Sequence, residues 1–365
     1  MSVNRKKKIS EKRIRQIKQV LWITLAWTII SVYQFLIGLG ILLDLNSDLT
    51  LHPLIPFRAS LFTGIFAGLL GGSVLVFLWE HWLRTKPYSW TIRHILISYT
   101  IIFFVISIPN GLYFQTKIHH STIFDFLIWK SMFEVLIHPS TLIPFFFWLV
   151  IVVMTLIAFL VNDKYGPGVF RKFLMGKYFN PTREERIFMF LDLRSSTSIA
   201  ETLGEEKYFN FIRDVYKEIT PGILEFKGEI YQYVGDEVVI SWATKTGFND
   251  ANCVNCFFEV RRLLSASGEY FQDLYGVKPE FKAGMHYGHV MAGEVGVVKR
   301  DIAFSGDVLN TTSRIQDQCN KLGVDILLSK HLVERLNKYE LHFSPREIGN
   351  IDLRGKQEKV ALFTI

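Results

Sequence analysis

The hydrophobic pattern changes character once along the chain. Up to about residue 162, apolar residues run nearly unbroken over bilayer-length stretches. From about residue 185 they fall into short alternating or helix-period blocks separated by turn residues. Four N-terminal stretches reach the ~20 residues that a helix needs to cross a bilayer. They are Val20 to Leu43, Ser60 to Trp79, Ile92 to Ile108 with an extension open as far as Tyr113, and Leu142 to Val161. Phe124 to Ile137 mixes apolar residues with Asp125, Lys130 and Glu134. That pattern predicts an interfacial amphipathic helix or, alternatively, a fifth and poorly inserted crossing. No A-x-A-like site follows the first run, so it reads as a retained helix rather than a cleaved leader.

The C-terminal half reads as a strand (Arg186 to Leu191), two helices, a hairpin (Glu229 to Trp242), a long helix (Asn249 to Tyr275), a strand pair (Glu280 to Gly293) and a further strand, helix and strand series. This order predicts an α+β domain, a sheet with helices packed on one face. The expected organisation is a basic N-terminus (1–19), a four-helix transmembrane domain (20–162), a connector (163–184) in which Gly166-Pro167-Gly168 stops the fourth helix, and the α+β domain (185–365).

Charge sharpens this picture. The formal charge is +7, and residues 1–18 carry eight Lys or Arg against one acid, Glu11, so the rest of the chain is balanced. A basic run before an apolar helix is a cytoplasmic topology anchor, and nucleic-acid binding is not indicated. Arg84 and Lys86, then Lys164, Arg171, Lys172 and Lys177, fall on the same side if four helices cross. The expected location is therefore the cell (inner or plasma) membrane, multi-pass, with the N-terminus and the C-terminal half cytoplasmic. The mean hydropathy of +0.22 agrees with a chain partly in lipid. The crossing segments hold no acid or base suited to an ion path, which argues against a transporter. Cys253 and Cys256 form a CxxC without a second ligand pair and read as core residues.

The candidate chemistry lies in the C-terminal half. Asp192 follows the apolar run Ile187 to Leu191 and precedes Arg194-Ser195-Ser196-Thr197 at a helix start. Backbone N–H groups there can face phosphate oxygens while the carboxylate holds a cation, although an aspartate before serines is also an ordinary N-cap. Asp236 follows Gly235 between alternating strands, where Gly-Asp is also an ordinary turn. Two carboxylates at strand ends suit a pair of divalent ions and phosphoryl chemistry on a nucleotide. Residues 284–296 read GMHYGHVMAGEVG, with glycines at a strand turn that admit close backbone approach, and residues 303–316 read AFSGDVLNTTSRIQ, a loop entering a helix. Asn310 and Arg314 in the latter share a helix face, an amide and a guanidinium placed to grip a ribose and a phosphate. His286 within GMHYG reads as a structural strand histidine, with a general base as the alternative.

At these four segments the sequence resembles the class III nucleotidyl cyclases, the family of adenylate and guanylate cyclases, over roughly Arg183 to Ile365. The resemblance implies a ferredoxin-like catalytic domain acting as a head-to-tail homodimer, with each site shared between two chains. It implies two Mg²⁺ or Mn²⁺ ions per site on Asp192, Asp236 and the Leu193 backbone carbonyl. Asn310 would orient the ribose and Arg314 would stabilise charge on the α-phosphate. Lys356 matches the triphosphate-binding lysine, with Arg354 competing for that role. The substrate is a nucleoside triphosphate, ATP favoured. The base-facing positions depart from the family pattern: they hold Gln232, whose amide both donates and accepts, and Ala303, which offers no polar side chain. GTP, a pyrimidine triphosphate, or a silent nucleotide-binding receptor domain remain open alternatives.

Overall fold

The computed structural model describes residues 11–44, 54–78, 82, 86–165, 175–298, 300–339, 343–352 and 359–365. The chain divides into two units, Met1–Val161 and Asn162–Ile365.

The first unit is helical: α1 (Glu11–Asp44), α2 (Leu54–Ser73, running on as a π-helical turn Val74–Leu78), α3 (Tyr88–His119), α4 (Phe126–Ile137) and α5 (Pro139–Tyr165). Four stretches are long and apolar enough to cross a membrane: Gln16–Asp44, Leu54–Phe77, Ser89–His119 and Thr141–Val161. The third outruns its predicted end because Pro109 lies inside it without stopping it; proline is tolerated in apolar helices whose neighbours satisfy the freed carbonyl. Helices α1 and α2 approach closely through Gly64, Gly68 and Gly72, spaced four apart. A Cβ on Gly68 would stand 2.4 Å from the Thr24 Cα, the small-residue contact that replaces hydrophobic driving force in lipid. Segment 124–137 does form a helix, capped by Asp125, whose Oδ1 accepts the Leu127 N–H at 2.9 Å. Its 12 residues rise about 18 Å, too short to cross. It buries Ile128 and Met132.

The second unit is an eight-stranded sheet with helices. Its elements are β1 (Thr182–Leu193), α6 (Ser196–Leu203), α7 (Glu205–Glu225), β2 (Glu229–Val234), β3 (Glu237–Ala243), α8 (Asn252–Ala266), α9 (Gly268–Tyr275), β4 (Phe281–Val295), β5 (Asp301–Ser305), α10 (Asp307–Leu322), β6 (Ile326–Ser329), α11 (Lys330–Leu336), β7 (Arg346–Ile351) and β8 (Val360–Thr364). The strand order is β2-β3-β1-β4-β6-β8-β7, with β5 also paired to β4. Its first four strands, antiparallel in the order β2-β3-β1-β4, form the ferredoxin-like core.

Alternation along β1 divides the core in two. Ile187, Met189, Leu191 and Leu193 pack with residues of α7, α8 and α11, whereas Phe188 and Phe190 pack with Val239, Val290 and Val308. Helix α10 therefore covers the face opposite the other helices, and the expectation of helices on a single face is corrected. The expected strand pair Glu280 to Gly293 is one strand of 15 residues. Its glycines serve close approach rather than a turn: a Cβ on Gly284 would meet the Gln316 backbone N at 2.4 Å. The expected helix Asn249 to Tyr275 is divided into α8 and α9 at Ser267. Strand β1 starts at Thr182, inside the segment assigned to the connector; Gly166 to Gly168 lie outside the described residues.

Candidate active site

Asp192 stands one residue from the end of β1, opposite Glu237 in β3 and Lys282 in β4. Directly opposed residues in an antiparallel sheet share a face, so the three side chains lie side by side on the face that α10 covers. Asp192 Oδ2 accepts from Lys282 Nζ at 2.8 Å and from Gln316 Nε2 of α10 at 2.8 Å. The Lys282 and Asp192 side chains are 10% and 20% exposed, so the ion pair is largely shielded from water. Burial pushes the Asp192 carboxyl above its usual range, Lys282 pulls it back, and the charge of Asp236 raises it again.

Asp236 sits in the two-residue turn between β2 and β3, where Gly235 has φ 62°. It is thus next to Glu237, the cross-strand neighbour of Asp192. Glu237 registers this crowding. Burial, then Asp192, Asp236 and Asp317, push its carboxyl up from 4.5 to about 7, against the pull of Lys282. The phenols of Tyr208 and Tyr216 are also pushed up, first by burial and then by Asp236. Tyr216 donates its hydroxyl to the Gly235 carbonyl at 2.8 Å, which fixes the turn. The two expected carboxylates are brought into one electrostatic neighbourhood.

The other expected residues arrange around this centre. Ser195 has φ 55° and precedes α6, whose first turn holds Ser196 and Thr197. The Ser195 side chain makes no capping bond there. Leu193 closes β1, opposite Phe281. Gln232 in β2 pairs with Val239 after a bulge at Tyr231, and Ala303 in β5 pairs with Gly293. The bulge lets Tyr231 pack on Phe304 at 5.0 Å between ring centroids, and the Phe304 N–H donates to the Tyr231 hydroxyl at 3.3 Å. Strand β2 is thereby tied to β5, so Gln232 and Ala303 neighbour a common contact. Asn310 and Arg314 lie on α10 away from its buried face of Val308, Thr311, Ile315 and Cys319. Among the described residues no hydrogen bond or ion pair joins either of them to Asp192 or Asp236 of the same chain. Lys356 and Arg354 lie outside the described residues.

Lys282, Gln316 and Glu237 are site residues that sequence reasoning missed. Gln316 ends the segment 303–316 and Lys282 lies two residues before the segment 284–296, but their convergence on Asp192 depends on sheet register and on the side of the sheet that α10 takes. His286 is buried, and its Nδ1 lies 2.7 Å from the Ser329 Oγ, consistent with the structural reading. Cys253 and Cys256 are buried free thiols in the main core.

The donor set suits a hard divalent cation. Asp192 and Asp236 offer carboxylate oxygens, the Leu193 carbonyl is a neutral oxygen donor, and the negative charge that adds to burial in lifting Glu237 is what a cation would offset. Among the described residues no three acid, imidazole or thiol groups form a ready metal cage. Magnesium sites commonly use one or two carboxylates and complete their shell with substrate phosphates and water.

Residues 180–365 match the family described as Adenylate and Guanylate cyclase catalytic domain. Among curated proteins, Adenylate cyclase 2 of Rhizobium meliloti (strain 1021) is 33% identical over 205 residues, covering 56% of each chain. An adenylate cyclase of Anabaena cylindrica is 28% identical over 187 residues, 48% of this chain and 36% of the relative. The chain thus spans about half of the first relative's length and about a third of the second's. Among solved structures, a bacterial light-regulated adenylyl cyclase superposes with a TM-score of 0.50 at 18% identity, over 59% of this chain and 63% of that one, a likeness of fold.

Proposed function

The chain belongs to the family of adenylate and guanylate cyclase catalytic domains, and on that premise we propose that it is a membrane-anchored nucleotidyl cyclase, with ATP the favoured substrate and cyclic AMP and pyrophosphate the products. The helical unit anchors it in the cell membrane, with the N-terminus and the catalytic half on the cytoplasmic side, in line with the basic residues flanking the helices. The observation that supports the reading is that Asp192, near the end of β1, lies opposite Glu237, which Asp236 precedes in the β2–β3 turn, so that both aspartates act on Glu237. The first relative, an adenylate cyclase, supports the base assignment.

In the reaction the ribose 3′ oxygen forms a bond to the α-phosphorus, its proton passes to an aspartate carboxylate or to water, and the bond from the α-phosphorus to the bridging oxygen breaks as pyrophosphate leaves. Asp192, Asp236 and the Leu193 carbonyl would hold two Mg²⁺ or Mn²⁺ ions, which when bound would supply positive charge against the triphosphate and lower the cost of deprotonating the 3′ hydroxyl. Lys282 and Gln316 hold Asp192 in one orientation, so its free oxygen is preorganised. Asn310 orients the ribose, and Arg314 meets the charge that grows on the α-phosphate. Neither touches the carboxylates of its own chain, which favours a site completed by a second copy, with α10 of one protomer facing the strand ends of the other. The N–H groups at Ser195, Ser196 and Thr197 face the phosphates, Lys356 or Arg354 holds the triphosphate tail, and Gln232 and Ala303 face the base.

Incubating the full chain in lipid nanodiscs with each of the four ribonucleoside triphosphates and Mn²⁺, followed by mass spectrometry of the products, tests this. The expected result is a cyclic nucleotide, with ATP the best substrate. A cyclic product chiefly from GTP or a pyrimidine triphosphate would revise the base assignment. Nucleotide binding without any cyclic product would overturn the enzymatic reading in favour of a silent receptor domain.

A further inference from the structure

The helical unit contains a half-open cavity of about 410 Å³ lined by α1, α2, α3, α4 and α5. This is the size of a small-molecule site. No acidic, basic or imidazole side chain is among its described lining residues.

The lining is graded along the helices. Near the end where α1 finishes and α2 begins lie Gln34, Ser60, Thr63, Ser107, Asn110 and Thr141. Deeper walls are mostly apolar, with Ala67, Gly71, Leu75, Ile95, Trp148 and Val152 beside the hydroxyls of Ser98 and of Tyr99, the latter donating to the Phe145 carbonyl. At the floor Trp27 and Trp148 meet edge to face with centroids 5.8 Å apart. Trp27 Nε1 donates to Thr155 Oγ1 at 3.3 Å, so its polar atom is already engaged. At the polar end Ser31 donates to the Ser60 carbonyl and Asn110 Nδ2 to Thr63 Oγ1, each at 2.8 Å. Among the described residues no protein hydrogen bond engages the side chains of Gln34 or Ser107, and within a membrane helix such groups lack water as a ready substitute.

Physical constraints narrow the occupant. Left empty, the lined side of this space forfeits dispersion contacts. Water does not fill walls as apolar as the deeper ones. A phospholipid head would bring a phosphate into a chamber with no described cation to meet it. We propose that the cavity is a binding site for an uncharged small amphiphile, whose aliphatic or ring body lies against the deep walls while a hydroxyl or carbonyl head bonds Gln34 and Ser107. The site is argued from the helical unit alone and stands apart from the catalytic reading.

The test uses the full chain in nanodiscs of a single phosphatidylcholine and a medium-chain primary alcohol carrying a diazirine. Photolabelling is expected to saturate on cavity-lining peptides and to be displaced by the plain alcohol of equal length. Ala67→Phe fills the deep end and should abolish this labelling. Gln34→Leu and Ser107→Ala each remove one hydrogen bond and should weaken it about fivefold. These two also decide the matter should Ala67→Phe lose its helical circular dichroism. Labelling that rises linearly with probe and spreads over lipid-facing peptides overturns the proposal, as does affinity unchanged in Gln34→Leu and Ser107→Ala. A phospholipid retained on native mass spectrometry and not displaced by the alcohol overturns the choice of occupant. Cyclase turnover is not read in this experiment, so neither outcome depends on it.

Discussion

Gly284→Ala adds one methyl group at the tightest contact between the sheet and α10. An alanine Cβ there would stand 2.4 Å from the Gln316 N and 2.6 Å from its Cα and Cβ. Carbon atoms rest at about 3.5–4 Å, so α10 must retreat by roughly 1 Å. The obstacle is backbone, which cannot swing aside as the tip of a long side chain can. Overpacking of this kind costs about 1–3 kcal/mol. The same displacement draws Gln316 away from Asp192 and carries Asn310 and Arg314 with the helix, and a misplacement of ~1 Å in a catalytic constellation costs about 10²-fold in rate. Two readouts follow on the full chain in nanodiscs. Turnover of ATP should fall about 100-fold, and amide hydrogen exchange across 307–322 should quicken by about 5- to 160-fold, the equivalent of that cost. Gly268→Ala is the control: its Cβ would meet only the flexible Lys278 side chain at 3.7 Å, at the first residue of α9, where alanine is favoured over glycine. It should leave both readouts unchanged. Wild-type turnover and wild-type α10 exchange in Gly284→Ala would refute the claim that this glycine sets the distance between helix and carboxylates.

Lys282→Met leaves Asp192 mostly buried with Gln316 as its remaining protein partner. Breaking a buried pair from one side costs about 3–5 kcal/mol, and partial exposure reduces this to about 2 kcal/mol. Lys282 pulls the Asp192 carboxyl down against its burial, so removing it moves the carboxyl further up and lets protonation replace the lost ammonium as the pH falls. The loss in apparent Tm should therefore be large at pH 8 and smaller at pH 5; an equal loss at both would count against the pairing. Glu237 titrates near 7 in the folded protein against 4.5 ordinarily, so the folded state binds the extra proton between those values. Stability in metal-free buffer should accordingly fall as pH rises from about 4.5 to about 7. Glu237→Gln should flatten that slope in thermal unfolding, and an unchanged slope would assign it to other groups.

Much of this architecture was legible in the chain. The crossing-length helices follow from apolar runs, because lipid leaves a backbone few ways to satisfy its own hydrogen bonds. The alternation of β1 and the Gly-Asp turn before Glu237 likewise marked where carboxylates would emerge. What escaped was non-local. The glycines of β4 have the same appearance in sequence whether they make a turn or admit a helix, and only the packing of α10 at Gly284 distinguishes the two. The side of the sheet taken by α10 depends on how Val308 and Ile315 meet partners far along the chain. The same holds for Gln316, 124 positions from the Asp192 it bonds, and for Lys282, whose role is set by the β1–β4 register. Local pattern also gave no sign of the bulge at Tyr231, whose ring packs on Phe304, 73 positions away.

The central claim is that two copies of the chain build one site, the strand-end carboxylates coming from one and the α10 residues from the other. It is tested most directly by mixing full-length Asp236→Ala and Arg314→Ala chains in nanodiscs and measuring cyclic nucleotide formation. The account predicts that each variant alone is inactive and that the mixture recovers roughly a quarter of wild-type turnover, since half of randomly paired dimers would hold one intact site of two. A mixture as inactive as its components, although the chains pair, would contradict it.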